Sequence, residues 1–265
     1  MSQAHRAKLG EWMILELDVG NSRIKWRAVR SDARSCGSNV KVLAGSVADS
    51  AGLLFESFPD DFKLSRIRVC SVRNDSLLTE LAGFVRQRWG LELEIARVSA
   101  CCGGVKNSYV ECERLGVDRW LAMLAAFNRR RRACLVIDAG TALTIDLVSG
   151  EGNHQGGYIL AGLSMSVRAL EGNTGIVLRD RTFDPESDPG TSTEQAVLRG
   201  TLASAVSLTL EALRTLRCED ADAVAYLCGG DAEILAQALR LRGELGFIVE
   251  QDLVLDGLAY AFEHR

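Results

Sequence analysis

Apolar residues fill 13–15 and 17, a strand pattern that runs into the turn Asp18-Val19-Gly20-Asn21-Ser22. Beyond the turn, alternation resumes with Ile24, Trp26 and Ala28 set against Arg23, Lys25 and Arg27, so strands at 13–18 and 23–30 form a hairpin. The same pattern returns in the second half. Leu135-Val136-Ile137 leads into Asp138-Ala139-Gly140-Thr141-Ala142, and Leu143, Ile145 and Leu147 then alternate with Thr144 and Asp146. Around these hairpins the periodicity predicts a strand at 67–72 and a helix at 77–89, with room for three βαβ-like passes in the first half. A Gly-, Asn- and Cys-rich loop at 101–116 enters a helix at 118–130, and a loop of that length in a compact domain usually carries function. A strand at 133–138 precedes the second hairpin, and residues 156–162 read as a strand ending in a turn. Pro185 and Pro189, with Asp180, Asp184 and Asp188, mark 179–193 as a surface loop. It closes on Ser192 and Gln195, at capping-box spacing for a helix running to about residue 217. A strand at 223–228, the turn Gly229-Gly230, a helix at 232–241 with Asp231 at its N-cap, and a last amphipathic helix at 253–264 complete the pattern.

Composition narrows the class without naming the chemistry. With 265 residues, 47% of them apolar and 25% charged, the chain is long enough for two domains of modest size. A formal net charge of -4 argues against a nucleic-acid carrier that relies on neutralising phosphates. The run Arg129 to Arg132 follows an apolar helical stretch and reads as a solvated helix C-terminus, where cations suit the dipole. Eight cysteines show no Cys-x-x-Cys, so they are expected to be the free thiols of a cytoplasmic protein. Residues 1–12 have neither an apolar signal core nor membrane-spanning length and read as an arm or tag. Three histidines are too scattered for a zinc site or a Ser-His triad, His154 being assigned to a glycine-rich turn.

The repeated Asp-x-Gly turn points to chemistry. Glycine allows a ligand close to the backbone, neighbouring N–H groups and hydroxyls bind phosphate oxygens, and the Asp at the strand end can hold a cation or its water shell. One such turn in each half implies a nucleotide gripped between two related domains. Neither Gly-x-x-x-x-Gly-Lys-[Ser/Thr] nor Gly-x-Gly-x-x-Gly occurs, which removes the P-loop and Rossmann alternatives. With Gly229-Gly230-Asp231 between a strand and a helix, the two hairpins resemble the phosphate 1, phosphate 2 and adenosine pattern of the actin-like kinase superfamily.

The resemblance then sharpens. Asp18 to Lys25, Gly116-Val117-Asp118-Arg119, Asp138-Ala139-Gly140-Thr141-Ala142, Gly156-Gly157-Tyr158-Ile159 and Cys228-Gly229-Gly230-Asp231 resemble, in order and spacing, the motifs of the type III pantothenate kinases from residue 13 onward. The resemblance implies an α/β fold of two ribonuclease H-like domains, at 13–115 and 116–265, with the nucleotide in a cleft between them. It implies a homodimer that uses ATP, Mg²⁺ and K⁺ or NH₄⁺ to convert pantothenate to 4'-phosphopantothenate, the first step of coenzyme A synthesis. Carried over to this chain, Asp18, Gly20, Asn21, Ser22 and Lys25 belong to the ATP segment, with Asp18 near Mg²⁺, directly or through water, and Lys25 near the phosphates. Gly140, Thr141, Gly229 and Gly230 belong to the other nucleotide turns, and Asp138 to the monovalent cation. Asp118 is the implied proton acceptor, and Tyr109, Gly116, Val117, Arg119 and Thr193 the implied substrate contacts.

Elementary chemistry agrees with several of these roles. Alternation places Lys25 on a polar face with Arg23 and Arg27, where a cation offsets charge during phosphoryl transfer. Arg119 can pair in bidentate fashion with the pantothenate carboxylate. A carboxylate opening a helix also serves as an ordinary cap, the competing reading for Asp118 as capping is for Thr193. Ala161 stands where the family often has Pro, and Cys228 where it often has Thr; both departures touch turn geometry more than chemistry. Two other readings use the same fold: a non-catalytic nucleotide-binding regulator, and a kinase of another small polyol. Intact Asp18, Lys25, Asp118, Asp138 and Thr141 argue against the first, and the Gly-x-Asp-Arg motif of the resembled family against the second.

Overall fold

The computed structural model describes residues 12–21, 23–30, 41–47, 50–56, 58, 59, 61–72, 76–186 and 188–263. Ser22, most of the 1–12 arm, Cys36, His5 and His264 lie outside the described residues. The chain forms β1 (Met13–Val19), β2 (Ile24–Arg30), β3 (Lys41–Val47), α1 (Ala51–Glu56), β4 (Leu64–Ser71), α2 (Ser76–Trp89) and β5 (Leu93–Ile95). Two-residue strands β6 (Cys101–Cys102) and β7 (Val105–Lys106) and a 3₁₀ turn at Cys112–Arg114 follow, then α3 (Val117–Arg130). The remainder is β8 (Cys134–Ala139), β9 (Ala142–Val148), β10 (His154–Ala161), α4 (Leu163–Asn173), α5 (Thr193–Glu219), β11 (Val224–Cys228), α6 (Ala232–Leu241), β12 (Phe247–Val249) and α7 (Leu253–Glu263).

The two halves build the same sheet twice. One has the order β3-β2-β1-β4-β5 and the other β10-β9-β8-β11-β12. In each, three antiparallel strands made by consecutive hairpins are joined on one side by two parallel strands. This duplicated order is that of the ribonuclease H-like fold expected from the motifs. Among the described residues the first half shows two parallel entries, at β4 and β5 after α1 and α2, where the pattern predicts three βαβ-like passes. The described residues gather into two compact units that interleave along the chain. The first takes residues up to 103, with 113–125 and 254–263, and the second takes 104–112 and 126–253.

In the first unit, alternation along β1 and β2 sends Leu15, Leu17, Val19, Ile24, Trp26 and Ala28 into an apolar core with Leu54, Phe55, Leu77, Leu81 and Val85 of α1 and α2. The opposite face carries Glu16 and Arg27, cross-strand partners in the register. That face is not solvated. Glu16 and Arg27 are 1% and 3% exposed, Arg27 Nε lies 2.6 Å from Glu16, and its Nη1 reaches Asp256 of α7 at 2.5 Å. Arg68 of β4 completes the cluster 3.5 Å from Glu16. The polar face that alternation assigned to Arg27 is therefore a buried ionic layer beneath the last helix, because α7 returns to cover it.

The second unit packs Leu135, Ile137, Leu143, Ile145 and Leu147 against α5 and α6. Helix α5 is 27 residues long and apolar enough to pass for a membrane span by length and composition. Its buried positions, among them Val197, Leu198, Leu202, Ala205, Val206, Thr209, Ala212, Leu213 and Leu216, form one stripe at helical spacing. Ser192 Oγ accepts the Gln195 N–H at 3.2 Å, as the capping box predicts, but the Gln195 side chain takes the N–H of Thr191, not that of Ser192. The arginine run has partners at the helix end: Arg129 pairs with Glu250, Arg132 with Asp222, and Arg131 lies over the Phe127 ring.

Candidate active site

In the first unit Asp18 is the penultimate residue of β1 and half-buried, with Lys25 of β2 as its direct cross-strand partner. The paired residues point to the same side of the sheet, two positions along from Glu16 and Arg27. The turn between them closes tightly, with the Gly20 N–H donating to the Arg23 carbonyl at 3.0 Å, and Asn21 is exposed at its tip.

Helix α3 begins one residue earlier than its polar pattern predicts, at Val117, so Gly116 holds the cap position and Asp118 is the second helical residue. The Asp118 carboxylate accepts the N–H of Arg119 at 2.8 Å, one of the donors that a helix start leaves over. A Cβ on residue 116 would stand 2.6 Å from Asp118 Oδ1. Glycine at 116 thus clears the space in which the carboxylate sits. Val117 is half-buried and Arg119 is buried.

In the second unit the turns converge on Asp138. Its carboxylate is half-buried at the end of β8, flanked in register by Thr144 and Cys228. A Cβ on Gly140 would lie 3.2 Å from Asp138 Oδ1, and one on Gly229 would lie 2.4 Å from it and 2.5 Å from the Ala139 carbonyl. Gly229 also has φ +94, which side-chain-bearing residues rarely adopt. The Asp231 N–H donates to the Ala139 carbonyl at 2.9 Å, tying the third turn to the second. Asp231 stands at the start of α6 but makes no side-chain cap, contrary to the sequence pattern, and burial pushes its carboxyl up. Thr141 is exposed beside this cluster, as is Gly230.

Tyr109 is half-buried in the loop before α3, and Thr193 is exposed at the first turn of α5. Thr193 lines an open, mainly apolar groove of about 620 Å³ together with Leu143, Leu160, Leu163, Leu170 and Val197. Sequence reasoning missed the surroundings of Tyr109. His154 is the first residue of β10, not part of a turn, and it is 3% exposed with hydrogen-bond partners on both nitrogens. Nothing in the local pattern marks Asp146 and His154 as partners, since they lie on separate strands eight residues apart with no motif joining them.

Substituting Gly229→Ala is expected to lower stability by about 1–3 kcal/mol from backbone strain alone, whereas Gly230→Ala, whose Cβ would meet nothing within 4 Å, should melt within a degree or two of the parent. Thermal unfolding of the two variants side by side checks this. Equal midpoints would mean that the second and third turns have no need of their close approach.

The family model for type III pantothenate kinase matches residues 14–214. The chain belongs to the type III pantothenate kinase family. A type III pantothenate kinase of Ectopseudomonas mendocina is 39% identical over 254 residues, covering 94% of this chain and 98% of the relative. One from Pseudomonas fluorescens is 38% identical with the same coverage. Among solved structures, a Campylobacter jejuni protein provisionally described as a Baf family transcriptional activator aligns at 20% identity with a TM-score of 0.59, over 94% of this chain and 98% of that one. The ethanolamine utilization protein EutJ of Carboxydothermus hydrogenoformans aligns at 14% identity with a TM-score of 0.50, over 93% and 88%. Both structural likenesses show the shared fold alone. Within the pantothenate kinase family framework, the described motif residues occupy strand ends, turns and a helix start, the positions from which backbone N–H groups and carboxylates can face a ligand.

Proposed function

We propose that this protein transfers the γ-phosphoryl group of ATP to the primary hydroxyl of pantothenate, giving ADP and 4'-phosphopantothenate. The observation that carries the reading is the family match over nearly the whole chain, with both Asp-x-Gly hairpins and Gly116-Val117-Asp118-Arg119 intact. Asp118 accepts the hydroxyl proton, and the oxygen attacks the γ-phosphorus in line as the bond to ADP breaks. Lys25 and the turns at Gly20, Asn21, Ser22, Gly140, Thr141, Gly229 and Gly230 receive the phosphate charge, the Gly20 and Gly140 N–H groups themselves closing their turns onto the Arg23 and Ala142 carbonyls. Arg119 pairs with the pantothenate carboxylate, and Tyr109, Gly116, Val117 and Thr193 complete the acceptor site.

The donor chemistry fits the expected ions. Asp18 offers the carboxylate that Mg²⁺ prefers, directly or through water, and Asp138, which the backbone approaches closely at Gly140 and Gly229, offers a carboxylate to the monovalent cation. When bound, these ions supply positive charge beside the phosphates. Turnover in Na⁺-only buffer is expected to collapse and to return when K⁺ or NH₄⁺ is added; equal rates in all three salts would remove Asp138 from this role.

A homodimer fits the edge of the second sheet, where β10 carries Tyr158 and Ile159 at 46% and 63% exposure. The seven described cysteines form no disulfide with one another, and a cytoplasmic location is part of the proposal. No nucleic-acid or membrane partner is part of the proposal. Coupled ADP release with pantothenate against a panel of sugars and polyols tests the reading. Release with a sugar but not with pantothenate would overturn it.

A further inference from the structure

Three residues of the second unit form a hydrogen-bonded line that phosphoryl transfer does not use. His154 Nε2 lies 3.0 Å from Asp146 Oδ1, and its Nδ1 lies 3.1 Å from Ser108 Oγ. Asp146 is 1% exposed in the middle of β9, whereas Ser108 is exposed. A carboxylate only accepts, so Nε2 carries the hydrogen, and a neutral ring then leaves Nδ1 to accept the Ser108 hydroxyl hydrogen. Held at both nitrogens, the imidazole cannot turn without breaking two hydrogen bonds.

Tyr109 stacks on that fixed plane, with ring centroids 5.8 Å apart and planes 17° from parallel. The loop is tied down on either side. Lys106 N–H donates to the Gly152 carbonyl at 2.8 Å, Tyr109 N–H to Asn107 Oδ1 at 2.9 Å, and the Asn107 amide to the Cys112 carbonyl at 3.3 Å. Ser, His and Asp also make hydrolytic triads, but there the serine meets Nε2 and the carboxylate meets Nδ1. Here the ring is reversed and tyrosine stacks on its face, an arrangement suited to holding a ring in place.

We infer that Asp146, His154 and Ser108 are positioning residues that fix the Tyr109 ring and thereby set the affinity for pantothenate without touching the transferred phosphoryl group. The inference rests on Tyr109 belonging to the acceptor site. A half-buried tyrosine whose ring is already ordered loses less freedom when substrate arrives, so the line acts on binding more than on turnover.

The test measures KM for pantothenate, KM for ATP, kcat and melting temperature for Ser108→Ala, Ser108→Thr, His154→Ala, Tyr109→Ala and the double variant Tyr109→Ala/His154→Ala. Losing the Ser108 hydroxyl should raise KM for pantothenate about 5-fold, the value of one ordinary hydrogen bond. KM for ATP and kcat should hold, and Ser108→Thr should restore the parent value. His154→Ala should raise the same constant further, and the double variant should be no worse than Tyr109→Ala beyond about 2-fold, because the histidine acts through the tyrosine. Additive losses, or a Ser108→Ala change that falls on kcat and ATP alike, would overturn the inference. If His154→Ala fails to fold, the two Ser108 variants decide it. Should Tyr109→Ala leave KM for pantothenate unchanged, it is the placement of Tyr109 in the acceptor site that fails, and the inference with it. A Tyr109→Ala effect without any from Ser108 or His154 overturns the inference alone.

Discussion

Asp118→Asn is expected to bind ATP as the parent protein does and to turn over pantothenate about 10²- to 10⁴-fold more slowly, the usual consequence of losing a general base. The asparagine keeps the size of the side chain and an oxygen to accept the Arg119 N–H that Asp118 now holds at 2.8 Å. Gly116 leaves room for either side chain. The helix start should therefore survive. A capping loss typically costs about 1 kcal/mol of stability, which cannot produce a rate effect of that size in a folded enzyme. Turnover measured beside ATP binding by calorimetry separates the two. A variant that binds ATP and turns over within a few-fold of the parent would reduce Asp118 to a structural role at the start of α3.

Arg27→Met is expected to destabilise the protein by about 3–5 kcal/mol, the cost of removing one partner from a buried ion pair. Arg27 bridges buried Glu16 at 2.6 Å and partly buried Asp256 at 2.5 Å. Burial lifts the Glu16 carboxyl against the pull of Arg27 and Arg68, while for Arg27 the attraction of Glu16 and Asp256 outweighs burial and keeps the guanidinium charged. Without Arg27, Glu16 keeps only the longer contact to Arg68, at 3.5 Å, from this cluster. The double variant Glu16→Leu/Arg27→Met should recover part of the loss, since well-packed apolar groups often replace a buried pair at little cost. Denaturant unfolding measures both. A single variant within about 0.5 kcal/mol of the parent, the range of an ordinary surface change, would show that α7 is held to the first sheet by its apolar contacts alone.

The two hairpins were legible because their signal is local. An apolar run, an Asp-x-Gly turn and resumed alternation occupy consecutive positions at 13–30 and again at 134–148, and the structure forms β1 with β2 and β8 with β9 there. Helices α5 and α6 were likewise readable from periodicity, and the helix at 117–130 from the apolar stretch that follows Asp118. The three-residue strands β5 and β12 were not, because Leu93–Ile95 and Phe247–Val249 are too short to show a period and owe their conformation to pairing with β4 and β11.

By itself, then, the sequence determined the paired turns, the residue types within them and the kinship that their order implies. Only the tertiary structure decided what lies against each of them. Alternation put Arg27 on the face opposite the apolar core, but whether that face meets water depends on α7, which arrives from the far end of the chain to place Asp256 there. The spacing of Asp138 and Gly229 says nothing of the 2.4 Å that a Cβ would leave between them, since that approach is made by the pairing of β8 with β11. His154 and Asp146 look like unrelated polar positions until β9 and β10 pair and bring imidazole to carboxylate beneath the loop that holds Tyr109. Local pattern specifies which residues share a face; what covers that face is set by contacts between segments distant in sequence, which no window of neighbouring residues contains.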